Sequence, residues 1–504
     1  MGQSTWEQLC SYQRETALLS STLAVLGWDE RTGMPPAAGS YRAEQLTYLS
    51  GMIHQRQTAK QLDDWLTELA ESDLADDPHS DAGTTIRQLR REYVRRTKLP
   101  QTLVEELTRA AVLGQQAWVS ARANDSFAEF KPHLEKLLSL KQQEADAIGH
   151  EGCRYDALLD EYEPGAKTSE VATVLNQLCE ALVPLIQQIK ESSQKAPSEL
   201  LRRDYPVDAQ RKIGVEAATA VGFDFQRGRL DETEHPFCTS LGPNDCRILT
   251  RYDSSFFASA FFGTLHEAGH GIYDQGLRTE LHGLPPGEYV SLGIHESQSR
   301  LWENFVGRSL AFWEYFFPRA QELFPQALTS VSVEQFYAAV NDVQPSLIRV
   351  EADEATYNLH IIIRFELEQA LVDGTLAVDD LPDAWNQKYS DYLGITPPSN
   401  ADGVLQDIHW SGGAIGYFST YSLGNLYAAQ FFRQARLDLG DLDAMFAAGE
   451  FTPLRQWLQT KIHQVGQCYS AAGILEQVTG EPLQHQPLVD HLYAKYGLLY
   501  GVTP

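Results

Sequence analysis

Apolar residues recur every three or four positions over most of this 504-residue chain, and this periodicity predicts a mostly α-helical protein. The pattern is continuous over four long stretches, which are 101–123, 127–148, 169–192 and 346–369. A shorter helix is predicted for 333–343. Pro345 separates it from the last long stretch, because proline disrupts a helix interior.

Strand patterns are few and local. Residues 235–252 are predicted to form a β-hairpin, whose turn is Gly242-Pro243-Asn244-Asp245 and whose return strand is 247–252. Turn residues of these types between two apolar stretches are typical of such a connection. Residues 289–294 are predicted to add one further short strand.

Two polar stretches, 71–85 and 192–197, are predicted to be exposed connections. Neither marks a change of composition that would separate independent domains, and the sequence contains no internal repeat or low-complexity tract. We therefore predict a single domain over residues 1–504. Its fold class is mostly α, one large helical body with a small β-sheet.

The net charge of −28 and the absence of a Lys/Arg cluster argue against a nucleic-acid partner. We interpret the excess of acidic residues as a solvated surface, with attraction of cationic peptides as the alternative. No apolar run approaches the roughly 18–20 residues of a membrane-spanning helix, so no membrane partner is expected. Residues 1–29 lack the pattern of a signal peptide, and a cytoplasmic protein is predicted.

The six cysteines are scattered and include no C-x-x-C pair. A chain of this length does not need disulfides to fold, and we predict reduced, mostly buried thiols. Cys238 and Cys246 are the only two that lie close together in the sequence near the chemically distinctive segment described next. They are the one pair of cysteines for which proximity in the folded protein is of interest.

The most distinctive motif is His266-Glu267-Ala268-Gly269-His270, in a stretch with helical periodicity from 254 to 275. Residues i and i+4 share a helix face, so both imidazoles can bind one metal ion. Glu267 lies about 100° round the helix, where it can act on a water molecule at the metal as general base. The motif predicts a hydrolytic metal site, with Zn²⁺ as the expected ion and Co²⁺ or Mn²⁺ as substitutes.

A third metal ligand must come from elsewhere in the chain. Glu296 follows His270 by 26 residues and is predicted to begin an amphipathic helix over 296–310. Glu303 lies two helical turns further along the same face and is the competing candidate. No third histidine has the spacing of the metzincins, which argues against that class.

Six short motifs give the chain its resemblance to a known family, the thermostable carboxypeptidases (carboxypeptidase Taq-like, peptidase family M32). They are His235-Pro236-Phe237, Asp245-Cys246-Arg247, His266-Glu267-Ala268-Gly269-His270, His295-Glu296-Ser297-Gln298, Ile348-Arg349-Val350-Glu351-Ala352-Asp353 and Gly403-Val404-Leu405-Gln406-Asp407-Ile408-His409-Trp410. All six occur in the order that the family has. One departure is Leu249, which stands where the family's D-x-R-x-T pattern has threonine.

The resemblance implies a metal-dependent carboxypeptidase that removes single residues from free peptide C-termini with broad specificity. It implies a nearly all-helical fold with a deep active-site groove, similar to neurolysin and angiotensin-converting enzyme, and a homodimer. It favours Glu296 as the third metal ligand. By analogy alone, residues 1–95 are interpreted as a helical lid and 230–425 as the catalytic region.

The oxyanion of the reaction needs hydrogen-bond donors besides the metal. His409 and Tyr421 are the candidates by their positions in the motifs, although Tyr421 is equally well explained as a packing aromatic. His295, which adjoins Glu296, and Asp274 are candidates for supporting the metal ligands through hydrogen bonds.

Substrate binding is assigned to Arg349, His235 and Arg247, all of which lie in the family motifs. An arginine fork matches a C-terminal carboxylate, and Asp353 at i+4 is expected to hold Arg349 in place. A surface ion pair on a helix is the alternative for these two residues. Whether Arg364 and His360, further along the same predicted helix, face the groove or the solvent stays open.

Two other functions compete with a carboxypeptidase. An endo-oligopeptidase of similar fold would use the same metal site without an arginine that binds the peptide C-terminus. A catalytically inactive peptide-binding protein is the other alternative, and the intact Glu267 argues against it, since a site that only binds does not need a base.

Overall fold

Helices make up most of the structure, as the hydrophobic periodicity predicts. The computed structural model describes residues 4–504. The helices before the sheet are α1 (Thr5–Glu30), α2 (Gly39–Gln57), α3 (Lys60–Ala70), α4 (Asp81–Thr97), α5 (Gln101–Ala123), α6 (Phe127–Ile148), α7 (Arg154–Leu159), α8 (Thr168–Glu191) and α9 (Val207–Val221). The helices after it are α10 (Phe257–Gly276), α11 (Leu292–Arg300), α12 (Leu310–Leu323), α13 (Pro325–Leu328), α14 (Val333–Val340), α15 (Tyr357–Asp373), α16 (Leu381–Leu393), α17 (Ser419–Leu439), α18 (Leu442–Ala447), α19 (Thr452–Lys461), α20 (Ala471–Thr479) and α21 (Gln486–Tyr500).

The small sheet has three strands, β1 (Gly228–Glu232), β2 (Phe237–Ser240) and β3 (Cys246–Thr250). β3 is central, parallel to β1 and antiparallel to β2. The predicted hairpin is therefore confirmed as β2–β3. Its turn is closed by a hydrogen bond from the Asp245 N–H to the Gly242 carbonyl (3.1 Å), and Gly242 has a φ of 135°, which residues with a Cβ rarely adopt.

The predicted helices at 101–123, 127–148 and 169–192 are confirmed by α5, α6 and α8. The prediction for 346–369 is wrong in nearly its first half, because α15 begins only at Tyr357. Residue Asp353 accepts hydrogen bonds from the backbone N–H groups of Ala355 and Thr356, and this turn replaces the first turns of the expected helix.

Residues 289–294 do not form the predicted strand. Residues 289–291 are irregular, and α11 begins at Leu292. The Ser291 hydroxyl accepts a hydrogen bond from the Ile294 N–H (3.1 Å), and serine in this capping position favours a helix start.

The helix predicted for 296–310 differs from the structure in two ways. It begins four residues earlier, at Leu292, and after Arg300 it continues as a π-helical turn over Leu301–Val306. The predicted connection 71–85 is also too long, because α4 begins at Asp81 and residues 83–86 of this helix are buried.

One continuous hydrophobic core extends through the helices from α5 to α21, with α10 near its centre. The N-terminal helices α1, α3 and α4 share a small core of their own, formed by Leu9, Leu62, Leu66, Leu69 and Ile86. None of the helices within residues 4–504 is long and apolar enough to cross a membrane. The division into one domain with a lid over 1–95 stays a prediction.

A buried ion pair joins the C-terminal helix α21 to the segment before α15. Lys495 Nζ lies 2.5 Å from Glu354 Oε2, and both side chains are almost fully buried. His491 Nε2 lies 2.9 Å from the other oxygen of Glu354. Burial alone would raise the pKa of Glu354, but Lys495 and His491 outweigh it and hold that pKa at about 2, so Glu354 is charged.

We expect Lys495→Met to lower the free energy of unfolding by about 3–5 kcal/mol, because it leaves the charge of Glu354 buried without its main partner. Denaturant unfolding followed by circular dichroism measures the change. Lys136→Met is the control, since Lys136 forms an exposed pair with Glu106 (2.6 Å) and such pairs contribute about 0–1 kcal/mol. Equal, small losses in both variants would contradict this prediction.

Candidate active site

A cavity of about 810 Å³ lies between α1 and the central helices, in keeping with the predicted deep groove. One wall is α1, and the facing wall consists of the β2–β3 hairpin and parts of α10, α11 and the start of α17. Four of the predicted site residues line this cavity on α10 and α11, namely His266, Glu267, His270 and Glu296.

Two histidines and one glutamate converge in the cavity wall. The nearest side-chain nitrogens of His266 and His270 and a carboxylate oxygen of Glu296 all lie within 4.8 Å of one another. From Glu296 Oε2, the distance is 3.7 Å to His266 Nε2 and 3.5 Å to His270 Nε2. Ligand atoms about 2.0–2.2 Å from a tetrahedral ion lie about 3.3–3.6 Å apart, so the three side chains fit one small divalent cation.

The tautomer of His270 follows from its hydrogen bonds. His295 Nε2 lies 3.0 Å from Asp274 Oδ1, and His295 Nδ1 lies 2.6 Å from His270 Nδ1. A carboxylate only accepts hydrogen bonds, so His295 donates from Nε2, and we assign its Nδ1 as the acceptor. His270 then donates from Nδ1, and its Nε2 presents a lone pair towards Glu296.

His266 is held in the same way by Glu303. Its Nδ1 lies 2.9 Å from Glu303 Oε2, so this nitrogen donates, and in the neutral ring Nε2 carries the lone pair. Arg300 binds both carboxylates, with its Nε 2.6 Å from Glu296 Oε1 and its Nη1 3.1 Å from Glu303 Oε2. Glu303, the competing candidate for the third ligand, therefore contacts the outer nitrogen of His266 and lies one hydrogen bond away from the convergence point.

The electrostatic field at this point favours a positive charge. Burial lowers the pKa of His266, but Glu296 and Glu303 outweigh this effect and raise it above its usual value. Burial lowers the pKa of His270 to about 4, so that ring is neutral at pH 7. Burial would raise the pKa of Glu296, but Arg300 and the two imidazoles hold it well below the usual range. A cation between two lone pairs and a carboxylate satisfies all three.

Two glycines allow the helices to approach closely enough for this convergence. A Cβ atom at Gly269 would lie 2.6 Å from the carbonyl oxygen of Gln298, where α10 crosses α11. A Cβ at Gly424 would lie 2.5 Å from Cγ of Glu296, where α17 crosses α11. Any larger residue at either position would push the glutamate away from the histidines.

Glu267 lines the cavity beside the three converging side chains. It forms no hydrogen bond or ion pair with another residue of the described part of the chain, 4–504. Burial, with Glu296 and Glu303 adding to it, raises the pKa of Glu267 to about 7. The structure thus contains a carboxyl group free to exchange protons next to the candidate metal site.

Arg349 lies in a 3₁₀ turn before α15, and its side chain is buried. Its Nε donates to Asp407 Oδ1 (2.9 Å) and its Nη1 to the hydroxyl of Tyr357 (3.2 Å). The prediction that Asp353 holds Arg349 is wrong, because the segment is not helical and Asp353 instead accepts hydrogen bonds at the turn before α15. Asp407, which lies 58 residues along the chain from Arg349, takes that role.

Arg364 and His360 face neither the groove nor the solvent. Arg364 is fully buried and binds the second oxygen of Asp407, with Nη2 2.6 Å away. His360 Nδ1 lies 3.0 Å from the Tyr389 hydroxyl. Asp407 therefore bridges two arginines, and this buried group of three carries a net positive charge.

The structure brings His409 and Tyr421 together, with ring centroids 6.3 Å apart. Tyr421 lines the cavity, and His409 lies between it and Asp407, whose Oδ1 is 3.9 Å from His409 Nδ1. Burial lowers the pKa of His409 to about 4, so its ring is neutral at pH 7. Burial raises the pKa of Tyr421 well above its usual value, so its hydroxyl keeps its proton.

His235 and Arg247 are not brought to the cavity wall. His235 is exposed at the start of the hairpin. Both ends of the Arg247 fork are occupied by Asp245, with two contacts of 3.0 Å, and its guanidinium stacks over Trp28 of α1 at 4.2 Å. Arg247 thus joins the hairpin to the N-terminal helix, and the substrate-binding role predicted for both residues stays a prediction.

The family model described as carboxypeptidase Taq (M32) metallopeptidase matches residues 8–496. The chain belongs to this family. It is similar to thermostable carboxypeptidase 1 of Thermus thermophilus, with 46% identity over 508 residues and 99% of each chain covered. It is also 40% identical over 481 residues to carboxypeptidase 1 of Bacillus subtilis, with 95% of this chain and 96% of that protein covered. The crystal structure of an M32 carboxypeptidase from Deinococcus radiodurans R1 matches with a TM-score of 0.96 at 39% identity, covering 99% of this chain and 100% of that one.

These findings confirm the resemblance and the mostly helical fold class that the sequence predicts. This M32 chain is a metallocarboxypeptidase, which is a hydrolase of peptide bonds, and the family implies a divalent metal ion. The two imidazoles and one carboxylate described above form a donor set that could hold such an ion.

Sequence reasoning missed two residues of this M32 site. Arg300 binds both Glu296 and Glu303. It lies four residues after Glu296 and three before Glu303, and this helical spacing could have predicted both ion pairs. Tyr417 lines the cavity and lies 5.3 Å from the ring of His409. It precedes α17 in an irregular segment, where no periodicity marks which side chains face a cavity.

Metal affinity distinguishes the two candidate glutamates. We expect Glu296→Gln to abolish tight binding of the metal, and Glu303→Gln to weaken it by about 10–100-fold, as for loss of a residue that orients a histidine ligand. Competition with a chelator of known affinity measures both, and Glu314→Gln, an exposed glutamate on α12, is the control. If Glu303→Gln costs more affinity than Glu296→Gln, Glu303 is the ligand and the proposed geometry is wrong.

Proposed function

We propose that this M32 chain is a zinc carboxypeptidase that removes single residues from the free C-terminus of peptides, with His266, His270 and Glu296 as the zinc ligands. The observation that carries the proposal is the convergence of two imidazoles and one carboxylate in the wall of the cavity, with Glu296 Oε2 3.5–3.7 Å from the Nε2 atoms of both histidines. Zinc is the commonest ion for this donor set in hydrolytic sites, and Co²⁺ or Mn²⁺ suits the same ligands.

A zinc ion at this point would supply a Lewis acid, which polarises the scissile carbonyl and makes a water molecule acidic at neutral pH. Glu267 is the proposed general base. It takes a proton from the attacking water and later delivers it to the leaving amine. The buried position of Glu267 beside the ligands supports this role. Burial raises the pKa of Glu267, and a metal cation nearby would lower that pKa again and keep the carboxylate ionised.

Tyr421 and His409 are proposed to donate hydrogen bonds to the oxyanion. A phenol with a strongly raised pKa and a neutral imidazole are both uncharged donors, which stabilise a developing negative charge without holding one beforehand. Tyr421 lines the cavity and is the direct candidate. His409 adjoins it and is further from the open space.

Arg349 is proposed to bind the C-terminal carboxylate of the peptide. Its Nη2 forms no hydrogen bond with a residue in 4–504, which leaves one side of the fork available. The charge of Asp407 is shared with Arg364, so the group attracts an anion. The guanidinium also lies 5.1 Å from the ring centroid of Tyr421, which itself lines the cavity.

Broad tolerance of side chains is part of the proposal. The face of α1 that lines the cavity consists of small or uncharged residues, which are Gln13, Thr16, Ala17, Ser20, Ser21 and Ala24. Such a wall offers no charge and no shaped pocket that would select one kind of substrate side chain.

The homodimer, the cytoplasmic location and the roles of His235 and Arg247 stay predictions of the sequence.

A pair of peptides tests the exopeptidase assignment. We expect the zinc-loaded protein to release single residues stepwise from an unstructured peptide with a free C-terminus, and to leave the C-terminal amide of the same peptide intact. The reason is that the amide has no negative charge for Arg349. A time course by mass spectrometry measures both, with a chelator as control. Internal cleavage of both peptides would identify an endopeptidase instead.

Replacement of the base separates chemistry from metal binding. We expect Glu267→Gln to keep the metal content of the wild type and to lose at least about 100-fold in kcat, because it removes proton transfer and leaves the ligands in place. Metal analysis and steady-state kinetics measure the two quantities. Glu280→Gln, an exposed change just after α10, should retain wild-type kcat. Unchanged turnover in Glu267→Gln would refute the assignment of the base.

A further inference from the structure

A second group of metal-binding side chains lies in the wall of the same cavity. Cys238 on β2, Cys246 on β3 and Asp274 on α10 each present one ligand atom, and these atoms all lie within 4.8 Å of one another. All three residues line the cavity, so an ion can reach them from its open space. Neither thiol takes part in the peptide hydrolysis proposed for the first site.

The spacing of the sulfurs fits a shared cation better than a disulfide. Cys238 and Cys246 lie on one face of the sheet, and their Sγ atoms are 3.6 Å apart. Two thiolates about 2.3 Å from a tetrahedral ion lie about 3.8 Å apart, so the pair can bind one with little movement. A disulfide would need the sulfurs to close to about 2.05 Å, and both cysteines are free.

Asp274 has an oxygen to contribute. Its Oδ1 lies 3.0 Å from His295 Nε2, whereas its Oδ2 has no hydrogen-bond partner in the part of the chain that the structure describes. The side chain is only 9% exposed. Asp274 lines the cavity, and a carboxylate oxygen without a donor is available as a ligand for a cation bound by the neighbouring sulfurs.

We propose that Cys238, Cys246 and Asp274 form a second metal site, for a soft divalent cation such as Zn²⁺ or Cd²⁺, with its fourth position open to the cavity. Two sulfur ligands select such ions over Mg²⁺ or Ca²⁺, which prefer oxygen. Binding releases the two thiol protons to the solvent, and neither sulfur is oxidised. The site shares Asp274 with the hydrogen-bonded chain through His295 to His270, so it adjoins the catalytic metal without using its ligands.

Titration of the full-length, metal-free protein with Cd²⁺ tests the proposal, in a buffer that contains a phosphine to keep the cysteines reduced. Cadmium bound to thiolates absorbs in the ultraviolet, and the candidate catalytic site contains no sulfur, so this absorption reports only on thiol ligands. We expect the wild type to show the band and to bind one Cd²⁺ more per chain than Cys238→Ser/Cys246→Ser, which should lack the band. His266→Ala should keep it, which separates this result from failure of the proposed catalytic site.

Cys153→Ser is the matched control, because Cys153 is a free, half-buried thiol outside the cluster, and it should titrate as the wild type does. If the double variant does not fold, the single variants Cys238→Ser and Cys246→Ser should each weaken cadmium binding. No thiolate band in the wild type, an unchanged band in the cysteine variants, or a disulfide between these two cysteines in the purified protein would overturn the proposal.

Discussion

The buried negative charge of Glu296 is the feature on which the candidate site depends. A carboxylate that is 7% exposed has to be compensated, and Arg300 from the same helix and two imidazoles from α10 surround it. The glycines at 269 and 424 bring three helices close enough for this arrangement. The affinity for a cation and the packing of α10 on α11 therefore have a common cause, because the helix contact that buries the charge also aims the histidines at it.

The parts of the site that sequence predicted are those governed by local geometry. His266 and His270 share a helix face because they are four residues apart, and a helix there was evident from its apolar positions. The hairpin turn followed from Gly242 and its neighbours in the same way. Position in the sequence and the family resemblance both favoured Glu296 over Glu303. The two glutamates lie on one face of a helix, and they differ in which nitrogen of His266 each one approaches.

The parts that sequence reasoning missed depend on contacts between distant segments. A continuous helix would place Asp353 beside Arg349. In the structure Asp353 instead accepts hydrogen bonds in a turn before α15, and the partner of Arg349 is Asp407. The start of α11 was missed for a related reason, since the capping hydrogen bond of Ser291 outweighs the strand propensity of its neighbours. Short polar side chains compete with regular structure, and apolar periodicity does not register that competition.

The bridge that Asp407 forms between Arg349 and Arg364 also bears on how such an enzyme can be redesigned. Since Arg364 is fully buried and belongs to the packing of α15, the position of Arg349 is fixed by the interior of the protein. An engineer who wishes to move or neutralise this arginine has to rebuild a buried network of one anion and two cations at the same time. Side-chain preference, by contrast, can be altered along α1, whose small residues form the opposite wall of the cavity.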